Sequence, residues 1–91
     1  MPTYKLSPLA EDDLYKIIST TINSWGNEQA KEYAQNIDAA LIKLAQYPDF
    51  GRERNEIYKG ARSFPVEKHI MFYQVSDDGI DVARIVHQHM D

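Results

Sequence analysis

The stretch LYKIISTTINSWGNEQAKEYAQNIDAALIKLAQYP, residues 14–48, decides the fold. Leu14, Ile17, Ile18, Thr21, Ile22 and Trp25 recur at three- and four-residue steps, which draws one apolar stripe along a helix. Gly26 ends that helix and Asn27 can cap the next. Ala30, Tyr33, Ala34, Ile37, Leu41, Leu44 and Ala45 form a second stripe, and Pro48 stops it. Two helices of similar length with only about two residues between them must fold back on each other as an antiparallel hairpin.

Upstream, Tyr4 and Leu6 alternate with Lys5 and Ser7, the pattern of a short strand. Ser7 then offers a helix cap, Pro8 suits the first helical position, and Glu11, Asp12 and Asp13 place negative charge at the positive end of the helix dipole. Downstream, PDFGRERNEIYKG (48–60) mixes charge with Gly and Pro and reads as a surface connection. The period then changes. ARSFPV (61–66), HIMFYQV (69–75) and IDVARIVH (80–87) are short and rich in β-branched and aromatic residues, and SDDG (76–79) is a tight-turn signal. Three strands of an antiparallel meander follow, with Pro65 marking an edge or a bulge because it cannot donate a ladder hydrogen bond. The expected fold is α+β in two layers, β-α-α-β-β-β, a helical hairpin on a small antiparallel sheet, as a single domain spanning residues 1–91.

Composition narrows the function. No cysteine is present, so neither a disulfide framework nor a thiolate zinc site is available, in keeping with a reducing cytoplasm. The amino terminus lacks a basic region followed by an apolar run, and no stretch is long and apolar enough to span a membrane. Ten Lys and Arg stand against fourteen Asp and Glu, a net charge of -4. Residues 1–47 carry four basic and six acidic groups, and residues 48–91 carry six and eight, so no basic half exists to grip phosphate.

The chemistry-bearing residues gather near the end of the chain. In a strand, His87 and His89 point to one face with Ile85, while Arg84, Val86 and Gln88 point to the other. Two imidazoles could ligate a metal, but no spacing supplies a third and fourth ligand, which favours a solvated strand end. Glu67, His69, Arg62, Arg84 and His87 are the residue types of a metal-free nuclease, and equally those of ordinary cross-strand pairs. GRER (51–54) reads as exposed ion pairs, and neither Gly51 nor Gly60 sits in a phosphate-cradling frame. Trp25 and Tyr33 fall on the helical stripes, where packing is a simpler account than base stacking.

Taken in order, YKLSPLAEDDLYKI, WGNEQA (25–30), Pro48 with Gly51-Arg52, GARSFPV (60–66) and RIVHQHMD (84–91) resemble the ParE family, within the larger superfamily of RelE and ParE toxins. The resemblance implies a type II toxin that inhibits DNA gyrase by binding, held in check by a cytoplasmic ParD-like antitoxin whose disordered tail folds along the hairpin and sheet. It implies no cofactor, metal or catalytic residue, and no direct contact with nucleic acid. Arg62, Ser63, Phe64, Arg84 and His87 match the ParE pattern, while His89 departs from it. With Met90, these seven are the candidate partner-binding residues.

The RNA-cutting RelE branch is the alternative, with His87 as acid and Arg62 or Arg84 holding phosphate. That branch places Lys or Arg along the second and third strands, where this chain has Ser63, Phe64, Val66, Ile70 and Met71. Aliphatic side chains cannot stabilise a developing phosphorane charge. A relative that binds antitoxin without being toxic is a third reading.

Overall fold

A computed structural model describes the backbone of residues 2–90 and the side chains of residues 2–89. Strand β1 (Thr3–Leu6) leads into helices α1 (Pro8–Trp25) and α2 (Asn27–Gln46). A 3-10 turn at Pro48–Phe50 precedes the short strand β2 (Arg52–Glu53). Strands β3 (Arg62–Val66), β4 (His69–Ser76) and β5 (Gly79–His87) follow, and a 3-10 turn at Gln88–Met90 closes the described chain.

Local chemistry accounts for the helix ends. The Ser7 hydroxyl accepts from Ala10 N–H at 3.0 Å, with Pro8 at the first helical position, a cap of about 1 kcal/mol. The hairpin turn is tighter than expected: Gly26 alone, at φ 92°, ends α1 and begins α2, and Asn27 is already helical. Glycine adopts this left-handed conformation without the Cβ clash that would burden Asn27 there.

The sheet order is β1-β5-β4-β3-β2. The meander β3-β4-β5 is antiparallel as expected. The sheet as a whole is mixed, because β1 lies parallel to β5 with Thr3 opposite Gly79 and Leu6 opposite Val82. Residue alternation reveals a strand but not the direction of its neighbour, and the two intervening helices supply the crossover that a parallel pair requires. Gly79, at φ 146°, allows this approach, since a Cβ there would lie 1.9 Å from the Thr3 carbonyl oxygen. The segment expected to be pure connection contains β2, which pairs Arg52 with Ser63 and Glu53 with Arg62. Pro65 lies beyond that pairing, where β3 is itself the edge.

One bulge controls which side chains meet the helices. Tyr73 pairs with Val82 and Phe72 with Arg84, so Ala83 has no opposite residue. Ile80 and Val82 face the core before the bulge, and the extra residue resets the alternation so that Ile85 faces it afterwards. The Ser7 hydroxyl that caps α1 also donates to the Ala83 carbonyl at 2.8 Å, tying helix start to bulge.

The core between hairpin and sheet holds Ile37, Leu41, Leu44, Met71, Tyr73, Ile80, Val82 and Ile85, all essentially buried, with burial of each aliphatic side chain worth about 1.5–3 kcal/mol. The α1 stripe is buried only in part. Ala10 and Ile17 are covered and Leu14 and Thr21 half-covered, whereas Ile22 is 42% and Trp25 74% exposed. At ~100° per residue, Ile22 and Trp25 lie roughly 140° and 80° around the helix from Ile17, so a stripe this wide cannot be covered by one sheet.

Candidate functional site

Three cross-strand rows face the helices: Arg62-Tyr73-Val82, Phe64-Met71-Ile85 and Val66-His69-His87. The first two build core, and the third is where core gives way to polar groups. There the Tyr33 hydroxyl of α2 lies 2.5 Å from His69 Nδ1. The His69 and His87 rings meet edge-on with centroids 5.3 Å apart. His87 reaches the helix side because the Ala83 bulge set the alternation.

His89 joins them by an unexpected route. The strand stops at His87 and the chain bends into the 3-10 turn, yet the His89 ring stacks on His87 at 4.8 Å. The bend comes from two bonds, Gln88 N–H to the Lys68 carbonyl at 3.0 Å and His89 N–H to His87 Nδ1 at 3.2 Å. Burial, and then the charge of His87, hold the His69 imidazole below the usual histidine value. Burial likewise pushes the Tyr33 hydroxyl up, which keeps it protonated.

Two open cavities flank the pair His69 and His87. One, of about 360 Å³, is lined by Thr21, Trp25, Tyr33 and Lys68 among others. The other, of about 380 Å³, runs between α1 and β5 past Lys16, Thr20 and Arg84. Trp25 and Tyr33, read from the sequence as packing residues, thus line the site. For Trp25 the signal was an α1 stripe too wide for one buried face, whereas Tyr33 packs against the core as expected and reaches the site with its hydroxyl.

Arg84 is committed to a partner. Its Nε and Nη2 donate to the two oxygens of Asp13 at 2.7 and 3.0 Å, and Ile85 N–H donates to the same carboxylate at 3.0 Å. That carboxylate also closes the β5 edge that β1 leaves uncovered after Val82. Hydrogen bonding to Arg84 is the main reason Asp13 stays below the usual carboxylate range.

The β3 candidates do not gather with this group. Arg62 Nη1 donates to the Gly51 carbonyl at 2.7 Å and to the Asp49 carbonyl at 3.4 Å, with Glu53 also 3.4 Å from the guanidinium, so it clamps the turn before β2. Ser63 is buried and its Oγ accepts from Arg54 Nη1 at 3.2 Å, while that guanidinium lies over the Phe72 ring. Phe64 packs against the core. Ser63 and Arg84 share a row on either side of Phe72, but their side chains turn to different partners. The Met90 side chain lies outside the described residues. Among the described residues, no group of three or more His, Cys, Asp or Glu side chains is placed to hold a metal ion.

The sequence model described as "ParE toxin of type II toxin-antitoxin system, parDE" matches residues 4–91. The chain belongs to the ParE toxin family. Among its ParE relatives, Toxin ParE1 of Mycobacterium tuberculosis strain H37Rv is 39% identical over 89 residues, 97% of this chain and 91% of that protein. Toxin ParE1 of Caulobacter vibrioides is 32% identical over 91 residues, 100% and 94% of the two lengths. The ParE fold is matched by a chain from the structure titled "Chromosomal ParDE TA system from P. aeruginosa", at a TM-score of 0.79 and 25% identity, covering 96% of each chain. Two helices on a mixed five-stranded sheet are therefore this toxin's architecture. No helix among its described residues is long and apolar enough to cross a membrane.

Proposed function

We propose that this ParE-family chain is the toxin of a type II toxin-antitoxin pair, acting in the cytoplasm by binding DNA gyrase and neutralised by a ParD-like antitoxin. Family membership over residues 4–91 carries the reading, and the state of the site's cations supports binding over RNA cleavage. Arg84 is neutralised by Asp13 and Arg62 is spent on backbone carbonyls, so neither stands ready to hold a scissile phosphate. The outer face beside the histidine row is Pro65, Ile70 and Val86, with no cation among them.

The contact surface in this reading comprises Arg84, His87, His89 and Met90, with Arg62, Ser63 and Phe64 shaping the neighbouring strand. The relative from Pseudomonas aeruginosa comes from a system described as ParDE, which supports a ParD-like partner here. An antitoxin tail that binds only the folded toxin would stabilise it by mass action. Deleting His87–Asp91 and measuring gyrase supercoiling tests the contact: a folded truncation should lose inhibition, and full inhibition by it would remove the carboxy-terminal end from the mechanism. Antitoxin-free expression separates a toxin, which should arrest growth, from a harmless antitoxin-binding relative.

A further inference from the structure

One of the two bonds that hold the carboxy-terminal turn requires an uncharged imidazole. His89 N–H donates to His87 Nδ1 at 3.2 Å, so that nitrogen presents a lone pair and the ring proton sits on Nε2. One strand over, the Tyr33 hydroxyl accepts from Lys68 N–H at 3.3 Å and lies 2.5 Å from His69 Nδ1. The direction of the Tyr33–His69 bond follows the His69 tautomer, so the acceptor fixed by the geometry is His87 Nδ1. Lys68 in turn receives the Gln88 N–H on its carbonyl, which links Tyr33, the β3–β4 turn and the carboxy-terminal turn in one chain of bonds.

We propose that His69, His87 and His89 form a proton-operated latch on Gln88–Met90, closed while His87 is neutral and released when it is protonated. Protonation converts the Nδ1 acceptor into a donor facing another donor, the His89 N–H. It also places a positive charge beside two further imidazoles, whose ring centroids lie 5.3 and 4.8 Å away.

The charges around the rings are largely paired with one another. From α1, Asp13 is paired with Arg84 and Lys16 with Asp12 at 3.0 Å. From α2, Tyr33 is neutral, its hydroxyl pushed up by burial. From the β3–β4 turn, Glu67 and Lys68 bring one charge of each sign to the same cavity, the Glu67 carboxylate also accepting from Asn36 Nδ2 at 2.8 Å. From β5, the Arg84 charge is neutralised by Asp13. No carboxylate bonds any of the three rings among the described residues.

The latch regulates the surface assigned above, so its effect on gyrase rests on that reading, whereas its opening does not. The test is ¹⁵N NMR of the full chain between about pH 5 and pH 8, the range in which histidines titrate. Neutral His87 should show the Nε2–H tautomer. The Gln88 and His89 amides should shift with the His87 midpoint, and His89 protection against exchange should fall roughly five- to tenfold below it, the loss of one ordinary hydrogen bond. His87→Asn retains an acceptor at the Nδ1 position without a titrating proton, so its tail amides should stay closed across the range. His87→Phe retains the ring without the acceptor and should be open throughout. A His89 amide that ignores the His87 titration, or a His87→Asn protein that titrates as the parent does, overturns the latch. Gyrase supercoiling by the parent chain at both pH values separates the two ideas. A titrating latch with no gyrase inhibition at either pH sinks the target and keeps the latch; inhibition with pH-blind tail amides does the reverse.

Discussion

Tyr73 shows how one hydroxyl holds two segments together. Fully buried, it donates to the Pro48 carbonyl at 2.5 Å and accepts from Gly51 N–H at 2.9 Å, fastening the turn after α2 to β4. Tyr73→Phe keeps the ring but strands a buried N–H, at a cost of about 1–3 kcal/mol; a lower urea midpoint with an unchanged slope checks this. Asp13 gives a pH signature. Its folded pKa lies below the ordinary carboxylate value because of Arg84, so its stabilising contribution is fully present above about pH 4 and is lost as pH falls through the folded pKa. Asp13→Asn should therefore be less stable than the parent at pH 7, and the gap should shrink at pH 3, as read from urea unfolding at both. His69 shifts downward as well, but for a base this means stability is full above ~6.5 and falls as pH drops below it.

At the scale of elements, the hairpin turn yields the simplest prediction. A Cβ at Gly26 would meet nothing within 4 Å, but φ 92° is a conformation that L side chains resist. Gly26→Ala should cost about 1 kcal/mol through backbone strain alone, seen as a lower Tm with the same helix content. The hairpin and the β3-β4-β5 meander were legible because their stops are residues of fixed conformational meaning, Gly26, Pro48 and the SDDG turn. The direction of β1 and the pairing of β2 were not, since both depend on partners many residues away. The bulge at Ala83 left no trace in composition. It exists because Ser7 and Asp13, about seventy residues earlier, take up the backbone groups of Ala83 and Ile85. For the site, the shared face of Ile85 and His87 followed from strand alternation, but the turn that brings His89 back and the arrival of Tyr33 from α2 did not. Arg62 and Ser63 lie apart from the tail candidates, because their hydrogen bonds draw them into the β2 region.

For the molecule as a whole, charge and family membership point the same way. A chain with net charge -4 lacks the overall basic surplus that phosphate binding draws on, and the cations nearest the histidines are paired or scattered. What the end of the sheet presents is a surface of stacked imidazoles, an exposed Trp25 and a carboxy-terminal turn. The direct measurement is to add the purified chain to gyrase with relaxed plasmid, and in parallel to translating ribosomes, and follow both nucleic acids. Supercoiling should fail and cleaved plasmid should accumulate while messages stay intact. Messages cut on the ribosome in a His87-dependent manner, with supercoiling untouched, would contradict the account.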